Sequence, residues 1–263
     1  HDAGHVLGSA YVSIEVEGKR LVFSGDIGND NVPIMSETEP ISHADVVICE
    51  STYGARIHEP TSERESKLKV VIKQSIEAGG VLLIPAFSIE RTQELLYALN
   101  NLLPTLPESQ RVPIYLDSPL AIRATELYRH FKNYLHFDTP ILAEADRDFF
   151  SFPNLRETLN AEESKAIARA KKPKVIIAGS GMMTGGRILH HLIQYLPDPN
   201  TTLLIIGYLA HGTLGRTLYE GAKEVTIFGR RIEVNAKMVG IGAFSAHGDQ
   251  NKLTRWLKPT DGK

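Results

Sequence analysis

Between residues 63 and 206, short apolar runs alternate with segments of helical spacing, and that succession leaves few ways for the chain to fold. Val81-Leu-Leu-Ile-Pro85, Val112 to Leu116, Lys174-Val-Ile-Ile-Ala178 and Thr202-Leu-Leu-Ile-Ile206 are apolar nearly throughout, as strands covered on both faces are. Between them, Glu63 to Ala78 ends at Gly79-Gly80, Ile89 to Leu103 stops at Pro104, and Pro119 to Phe131 begins with a first-turn proline. Two more helices are expected at 186 to 195 and 214 to 222. Strand, crossover helix, strand predicts a mostly parallel sheet flanked by helices, an α/β architecture. Glu224-Val-Thr-Ile-Phe228 is expected to add a further strand in that succession, Ile232 to Val239 a strand pair, and 249 to 257 a closing helix. The stretch from 137 to 160, with its aromatics and prolines, is expected to be irregular.

The start of the chain follows another period. Tyr11-Val-Ser-Ile-Glu-Val-Glu17 alternates, turns at Gly18-Lys19 and resumes as Leu21-Val-Phe-Ser24, which predicts a β-hairpin. Ala44-Asp-Val-Val-Ile-Cys49 is a continuous apolar run, expected to be a strand buried on both faces. The organisation predicted is a β-rich opening at 1–54, an inserted α/β domain at 55–244 and a return segment at 245–263.

Composition narrows the function classes. A formal net charge of −2 provides no global basic field, so a polyanion would have to be held by a local patch. The single cysteine, Cys49, excludes an internal disulfide and a thiolate metal cluster, and points to the cytoplasm. No apolar run approaches the roughly 20 residues of a membrane helix, so no membrane partner is expected. A start at His1-Asp-Ala-Gly-His5, without an initiator methionine, is expected of a trimmed chain.

Four polar residues stand beside strand patterns, and two of them, Glu50 and His247, follow apolar runs of the kind that end at a sheet's edge. His5 precedes the hairpin and Asp26, in Ser24-Gly-Asp26, follows it, and an imidazole beside a carboxylate is a donor pair that zinc accepts. The plain alternative is that Asp26 caps its turn and His5 is a loop histidine. Glu50, in Glu50-Ser-Thr-Tyr-Gly54, and His247, in Phe244-Ser-Ala-His247, form an acid–imidazole couple suited to proton donation. Alternatively, Glu50 pairs with any nearby base and His247 merely neighbours a helix capped by Asp249.

Ala178-Gly-Ser-Gly-Met-Met-Thr-Gly-Gly-Arg187 lies between a strand and a helix, and Gly207 to Arg216 repeats the arrangement after the next strand. Small residues there let backbone N–H groups approach an anion, although neither loop matches a P-loop or a dinucleotide fingerprint. Ser180, Gly181, Gly212, Thr213, Arg216 and, beside His247, Ser245 are the candidate phosphate contacts. His190 and His191 are consecutive on a helix and cannot chelate together. His43, His58, His130 and His136 are expected to be surface or packing residues, with His211 a weaker site candidate. Arg91 is explained equally by salt bridges, Cys49 by the core and Trp256 by packing.

Taken in order, Ala3-Gly-His5-Val-Leu-Gly8, Ser24-Gly-Asp26, Glu50-Ser-Thr-Tyr-Gly54, Pro85-Ala-Phe87 with Arg91-Thr-Gln-Glu94, Gly179-Ser-Gly-Met-Met183, Gly212-Thr-Leu-Gly-Arg216 and Phe244-Ser-Ala-His247 resemble the β-CASP family. This is the nucleic-acid-processing branch of the metallo-β-lactamase fold, and the likeness is closest to RNA nucleases related to the pre-mRNA 3′-end cleavage endonuclease. The resemblance implies a partial metallo-β-lactamase αββα half carrying an inserted β-CASP domain. It implies a zinc-dependent ribonuclease with two zinc ions, acting on single-stranded RNA, with a homodimer left open. His5 resembles a histidine ligand, Asp26 the carboxylate bridging both ions, Glu50 the first β-CASP acid and His247 the histidine that protonates the leaving oxygen. The family's His-x-His-x-Asp-His cluster and its last histidine motif have no counterpart here, so the chain is expected to be a fragment inactive alone. Two rivals remain: a non-catalytic RNA-binding scaffold of the same family, and a small-molecule metallo-hydrolase of the same fold.

Overall fold

The computed structural model describes residues 1–136 and 148–258 of the 263. The chain opens with a hairpin, β1 (Val12–Val16) and β2 (Lys19–Phe23), followed by β3 (Val46–Ile48). Helix and strand then alternate through α1 (Arg64–Glu77), β4 (Val81–Pro85), α2 (Arg91–Leu102), β5 (Ile114–Asp117) and α3 (Pro119–His130). The succession continues through β6 (Leu155–Glu157), α4 (Ala161–Ile167), β7 (Lys174–Ala178), α5 (Ile188–Tyr195), β8 (Thr202–Ile205) and α6 (Leu214–Tyr219). A second hairpin, β9 (Glu224–Ile227) and β10 (Arg230–Glu233), precedes β11 (Lys237–Gly240) and α7 (Gln250–Leu257). No described helix is long and apolar enough to cross a membrane.

These elements form two compact units. Among the described residues, one gathers 1–61, 130–136 and 245–258, the other 62–129 and 148–244. The larger unit is built on a six-stranded sheet ordered β11-β8-β4-β7-β5-β6, parallel throughout. Every residue of β4, β5, β7 and β8 is buried, which accounts for their largely apolar sequence, with Asp117, Lys174 and Thr202 at the strand ends. Leu83, Ile176 and Leu203 lead the core between this sheet and Ile188, Leu192 and Tyr195 of α5.

Two expectations need correction here. Residues 224–228 do not join the parallel succession, because Phe228 and Gly229, at φ 49° and 73°, reverse the chain tightly and β9 pairs antiparallel with β10. The strand pair foreseen at 232–239 is divided between two sheets, β10 in that hairpin and β11 alongside β8. The irregular stretch contains β6, while its residues 137–147, like 259–263 of the return segment, lie outside the described residues.

In the smaller unit the sheet order is β1-β2-β3, with the hairpin closed by Glu17 and Gly18 at φ 50° and 74°, and β3 parallel to β2. One face packs Tyr11 and Val22, with Val47, against Leu253 and Trp256 of α7. Cross-strand partners Val12, Phe23 and Ile48 lie on the other face. There Val46 is 48% and Ile48 53% exposed, so β3 is buried on one face only, contrary to its apolar run. Val12 and Phe23 are exposed on that same face, central strand included, because among the described residues α7 covers the sheet from the opposite side only.

Candidate active site

His5 is placed by a tight turn in which the Ser9 hydroxyl accepts the backbone N–H groups of His5 and Val6 at 3.1 and 3.2 Å. Asp26 sits in the loop leaving β2, just after Gly25 at φ 53°. Glu50 follows β3, its N–H donating to Ser24 Oγ at 2.8 Å. His247 lies on the segment before α7, which bridges antiparallel to Gly28. Around that bridge Asn29 N–H donates to the Ala246 carbonyl and Gly248 N–H to the Ile27 carbonyl, each at 2.7 Å. Short main-chain contacts between sequence-distant loops thus bring all four side chains together.

His5 Nε2 stands 3.8 Å from Asp26 Oδ2, and the His5 and His247 ring centroids are 4.4 Å apart. Ligand atoms of His5, Asp26 and His247 all lie within 4.8 Å of one another. Glu50 faces the other side of His247, with Oε2 3.0 Å from Nδ1, while its Oε1 accepts the Ile27 N–H at 2.5 Å. Both oxygens of a nearly buried carboxylate are thereby committed, and the His247 ring is oriented with Nε2 away from Glu50.

Electrostatics follow from that packing. Burial pushes the Glu50 carboxyl up, but hydrogen bonds from His247 and Thr52, with the Ile27 N–H, outweigh it and hold the group below its ordinary value. Burial holds His5 below the usual histidine range, His247 adding to the effect and Asp26 opposing it. A neutral imidazole beside a carboxylate whose side chain is 59% exposed is a donor set that suits a borderline cation such as zinc. Two imidazoles and one carboxylate fit a metal; they are fewer than the four ligands of a closed zinc shell.

His58, expected to be a surface or packing residue, belongs to this neighbourhood. Its Nε2 lies 3.0 Å from the His247 carbonyl, its backbone N–H donates to Asp249 Oδ2 at 3.0 Å, and its ring meets Tyr53 edge to face. Asp249 also caps α7 by accepting the Lys252 N–H at 2.9 Å. Bonds to a main-chain oxygen 189 residues away leave no sequence pattern, which is why His58 was not legible.

The glycine-rich loops stand at the carboxyl ends of β7 and β8 and are joined by the Gly215 N–H donating to the Met182 carbonyl at 3.1 Å. Ser180 Oγ accepts the N–H groups of Thr184 and Gly185 at 3.0 and 3.3 Å, so this hydroxyl closes its own loop. Gly181 is buried, Gly212 is exposed at φ 80°, and Thr213 caps α6 through the Arg216 N–H. The Arg216 side chain is paired with Glu220 at 2.6 Å. Ser245 is buried in the other unit, its carbonyl accepting from Asn29 Nδ2 at 3.1 Å.

At the end of β5 lies a polar cluster that the sequence reading did not single out. Asp117, fully buried, accepts from Arg187 Nη1 and His191 Nε2 at 2.7 Å and from the Thr158 and Ser164 hydroxyls at 2.6 and 2.7 Å. Burial raises its carboxyl, but these partners, His191 foremost, more than reverse that and hold it far below the carboxylate range. His191, excluded above only from chelating together with His190, is thus a buried partner that ties α5 to β5. The signal was an aspartate ending an apolar strand directly before Ser118-Pro119.

Residues 92–218 match the Beta-Casp domain family. The chain is 39% identical over 256 residues to a ribonuclease of Thermus thermophilus, covering 97% of this chain and 59% of that protein. It is 39% identical over 262 residues to an RNase J-like protein of Methanocaldococcus jannaschii, covering 98% and 59%. To cleavage and polyadenylation specificity factor 73 of Drosophila melanogaster it is 32% identical over 263 residues, covering 98% and 38%. The chain therefore spans about three fifths or less of these relatives' length.

Proposed function

The chain belongs to the β-CASP family of metallo-β-lactamase-fold proteins, and from that premise we propose that it carries part of the hydrolytic centre of a metal-dependent ribonuclease. The substrate is single-stranded RNA, the reaction phosphodiester hydrolysis in RNA processing or decay, and the setting cytoplasmic. The names of its relatives, a ribonuclease and an RNase J-like protein among them, support the substrate class. The observation that carries the chemistry is the Glu50–His247 pair at 3.0 Å, set beside His5 and Asp26.

His5 and Asp26 would hold metal, which we take to be zinc, two ions in the intact protein. The chemistry a zinc pair supplies when bound is Lewis acidity at the phosphoryl oxygens and a water acidified to react near neutral pH. Glu50 fixes the His247 ring through Nδ1, so that in its charged form the ring can release a proton from Nε2 to a departing oxygen. Ile27 N–H keeps the carboxylate from turning away.

One observation favours a second role for His247: its nitrogen lies within 4.8 Å of the His5 and Asp26 donors, close enough to serve as a ligand. Replacing His247 by alanine in the full-length protein separates the two. Cleavage slowed about 100-fold at unchanged metal content assigns proton donation; loss of metal assigns ligation. Undiminished cleavage at unchanged metal content rejects both. A wild-type protein that binds RNA and metal without cleaving would identify a scaffold instead.

A further inference from the structure

At the carboxyl edge of the parallel sheet, Phe87 is neither core nor loose surface. It follows β4 in Pro85-Ala-Phe87 and is 38% exposed. Its backbone is nonetheless held from within: Thr92 Oγ1 donates to the Phe87 carbonyl at 2.7 Å and Gln93 Nε2 to the Ser88 carbonyl at 3.1 Å. Thr92 and Gln93 are themselves buried, so two interior side chains of α2 hold the main chain from which the partly exposed ring projects. The Gln93 amide is fixed in turn by Thr125 Oγ1 at 2.9 Å.

The ring also has a built seat. A Cβ added to Gly181 would stand 2.6, 2.7 and 3.0 Å from Phe87 Cδ2, Cε2 and Cγ. An atom approaching in the ring plane would be near one carbon and clearly farther from its neighbours, so these similar distances place Gly181 against a face of the ring. A Cβ on Gly207 would come 3.6 Å from Cε2. Any side chain at 181 would displace the ring, whereas glycine lets the loop lie directly against it.

A fixed, partly exposed aromatic ring beside two glycine loops at the ends of parallel strands suits a flat ligand that stacks without demanding a particular hydrogen-bond pattern. We propose that Phe87 is a stacking platform for an unpaired nucleobase of the RNA substrate. This rests on the ribonuclease reading, and deepens it by assigning a contact to the base rather than to the phosphate. Its chemistry is sequence-tolerant, because every base offers a π face.

The test uses the metal-loaded full-length protein and single-stranded RNA oligonucleotides in which one abasic nucleotide is walked along the chain. Phe87→Ala should raise KM on the order of tenfold, and Phe87→Trp should stay within about twofold of wild type, since it keeps the aromatic face. The alanine penalty should vanish on the one RNA whose abasic site removes the stacked base. A wild-type KM for Phe87→Ala, or an equal penalty on every abasic RNA, overturns the platform. Should Phe87→Ala fail to fold, the abasic walk on wild type decides: one position must raise KM about tenfold, and a flat profile refutes the proposal. Absence of any RNA cleavage by wild type would sink the ribonuclease reading along with it, whereas normal cleavage with a flat profile removes the platform alone.

Discussion

Gly28 is the residue through which the backbone places His5, and replacing it by alanine should damage the site while leaving all three sheets formed. Its N–H donates to the Ala3 carbonyl at 2.8 Å and it bridges to His247, so it lies between the two imidazole-bearing segments. A Cβ at position 28 would stand 1.9 Å from the Gly4 oxygen, 2.2 Å from the Gly4 carbon and 2.9 Å from the His5 nitrogen, all main-chain atoms. Real Cβ atoms essentially never approach below 3.0 Å, so moving from 1.9 to 3.0 Å requires a shift of about 1.1 Å. Gly28 has no positive φ, so alanine meets no backbone penalty and the cost is steric. Overpacking of this kind costs about 1–3 kcal/mol, and a misplacement of about 1 Å at a reacting centre lowers turnover about 100-fold. Metal affinity, by calorimetric titration of the full-length protein, should fall at least about tenfold, as for lost ligand positioning. Gly185→Ala, with nothing within 4 Å of the new methyl, is the control for stability and metal uptake. Wild-type affinity and turnover in Gly28→Ala would show that the Gly4–His5 main chain does not position the imidazole.

Asp117→Asn should destabilise the larger unit by about 3–5 kcal/mol, the cost of leaving a buried charge without its partner, here Arg187. Because the folded carboxyl is held below its unfolded value, that stability is present above the ordinary pKa of about 3.9 and is lost as pH falls toward the depressed folded value. The wild-type minus variant difference in urea melts should narrow as pH falls below about 4; a difference that does not narrow there refutes this account. The buried ion cluster gives a paired contrast. Glu94 pairs with both Arg64 and Arg91, whereas the Glu90 carboxyl is pushed well up, burial outweighing Arg91. Glu94→Gln should therefore cost about 3–5 kcal/mol and Glu90→Gln less than about 1 kcal/mol in denaturant unfolding, and equal costs would contradict the assignment of charge.

The parallel sheet was legible because burial on both faces writes itself into sequence as nearly continuous apolar runs. Val81–Pro85 and Lys174–Ala178 begin and end as read, for that reason. Strands covered on one face only break that link. Val46–Ile48 has the same kind of run but belongs to a sheet packed on one face, where Val47 joins the core while Val46 and Ile48 are exposed. Glu224–Ile227 alternates, with only Val225 and Ile227 buried, which is the period of a half-covered hairpin strand rather than of a parallel one. Leu155–Glu157 contributes a single apolar residue and, among the described residues, pairs only with β5, so nothing local announces it. Ala161–Ile167 did carry a signal, a capping box in which Asn160 and Glu163 satisfy each other's backbone N–H groups.

The candidate site divides along a different line. Asp26 and Glu50 stand just past strands, where a polar side chain can leave the core without losing a fixed backbone, while His5 and His247 lie outside the strands in short motifs of their own. Residues that hold others in place lack such a marker. His58 acts on a carbonyl, Gly28 by having no side chain, and Asp117 through four partners at positions 158, 164, 187 and 191. Chemistry selects the residue type at a reacting position, so it can be read singly. Support needs only that some donor meet some acceptor, and which ones meet is fixed by the three-dimensional path of the chain. Phe87 lies between these cases: its motif is visible in sequence, but only Gly181 against the ring and Thr92 and Gln93 behind it distinguish a mounted platform from an ordinary exposed phenylalanine.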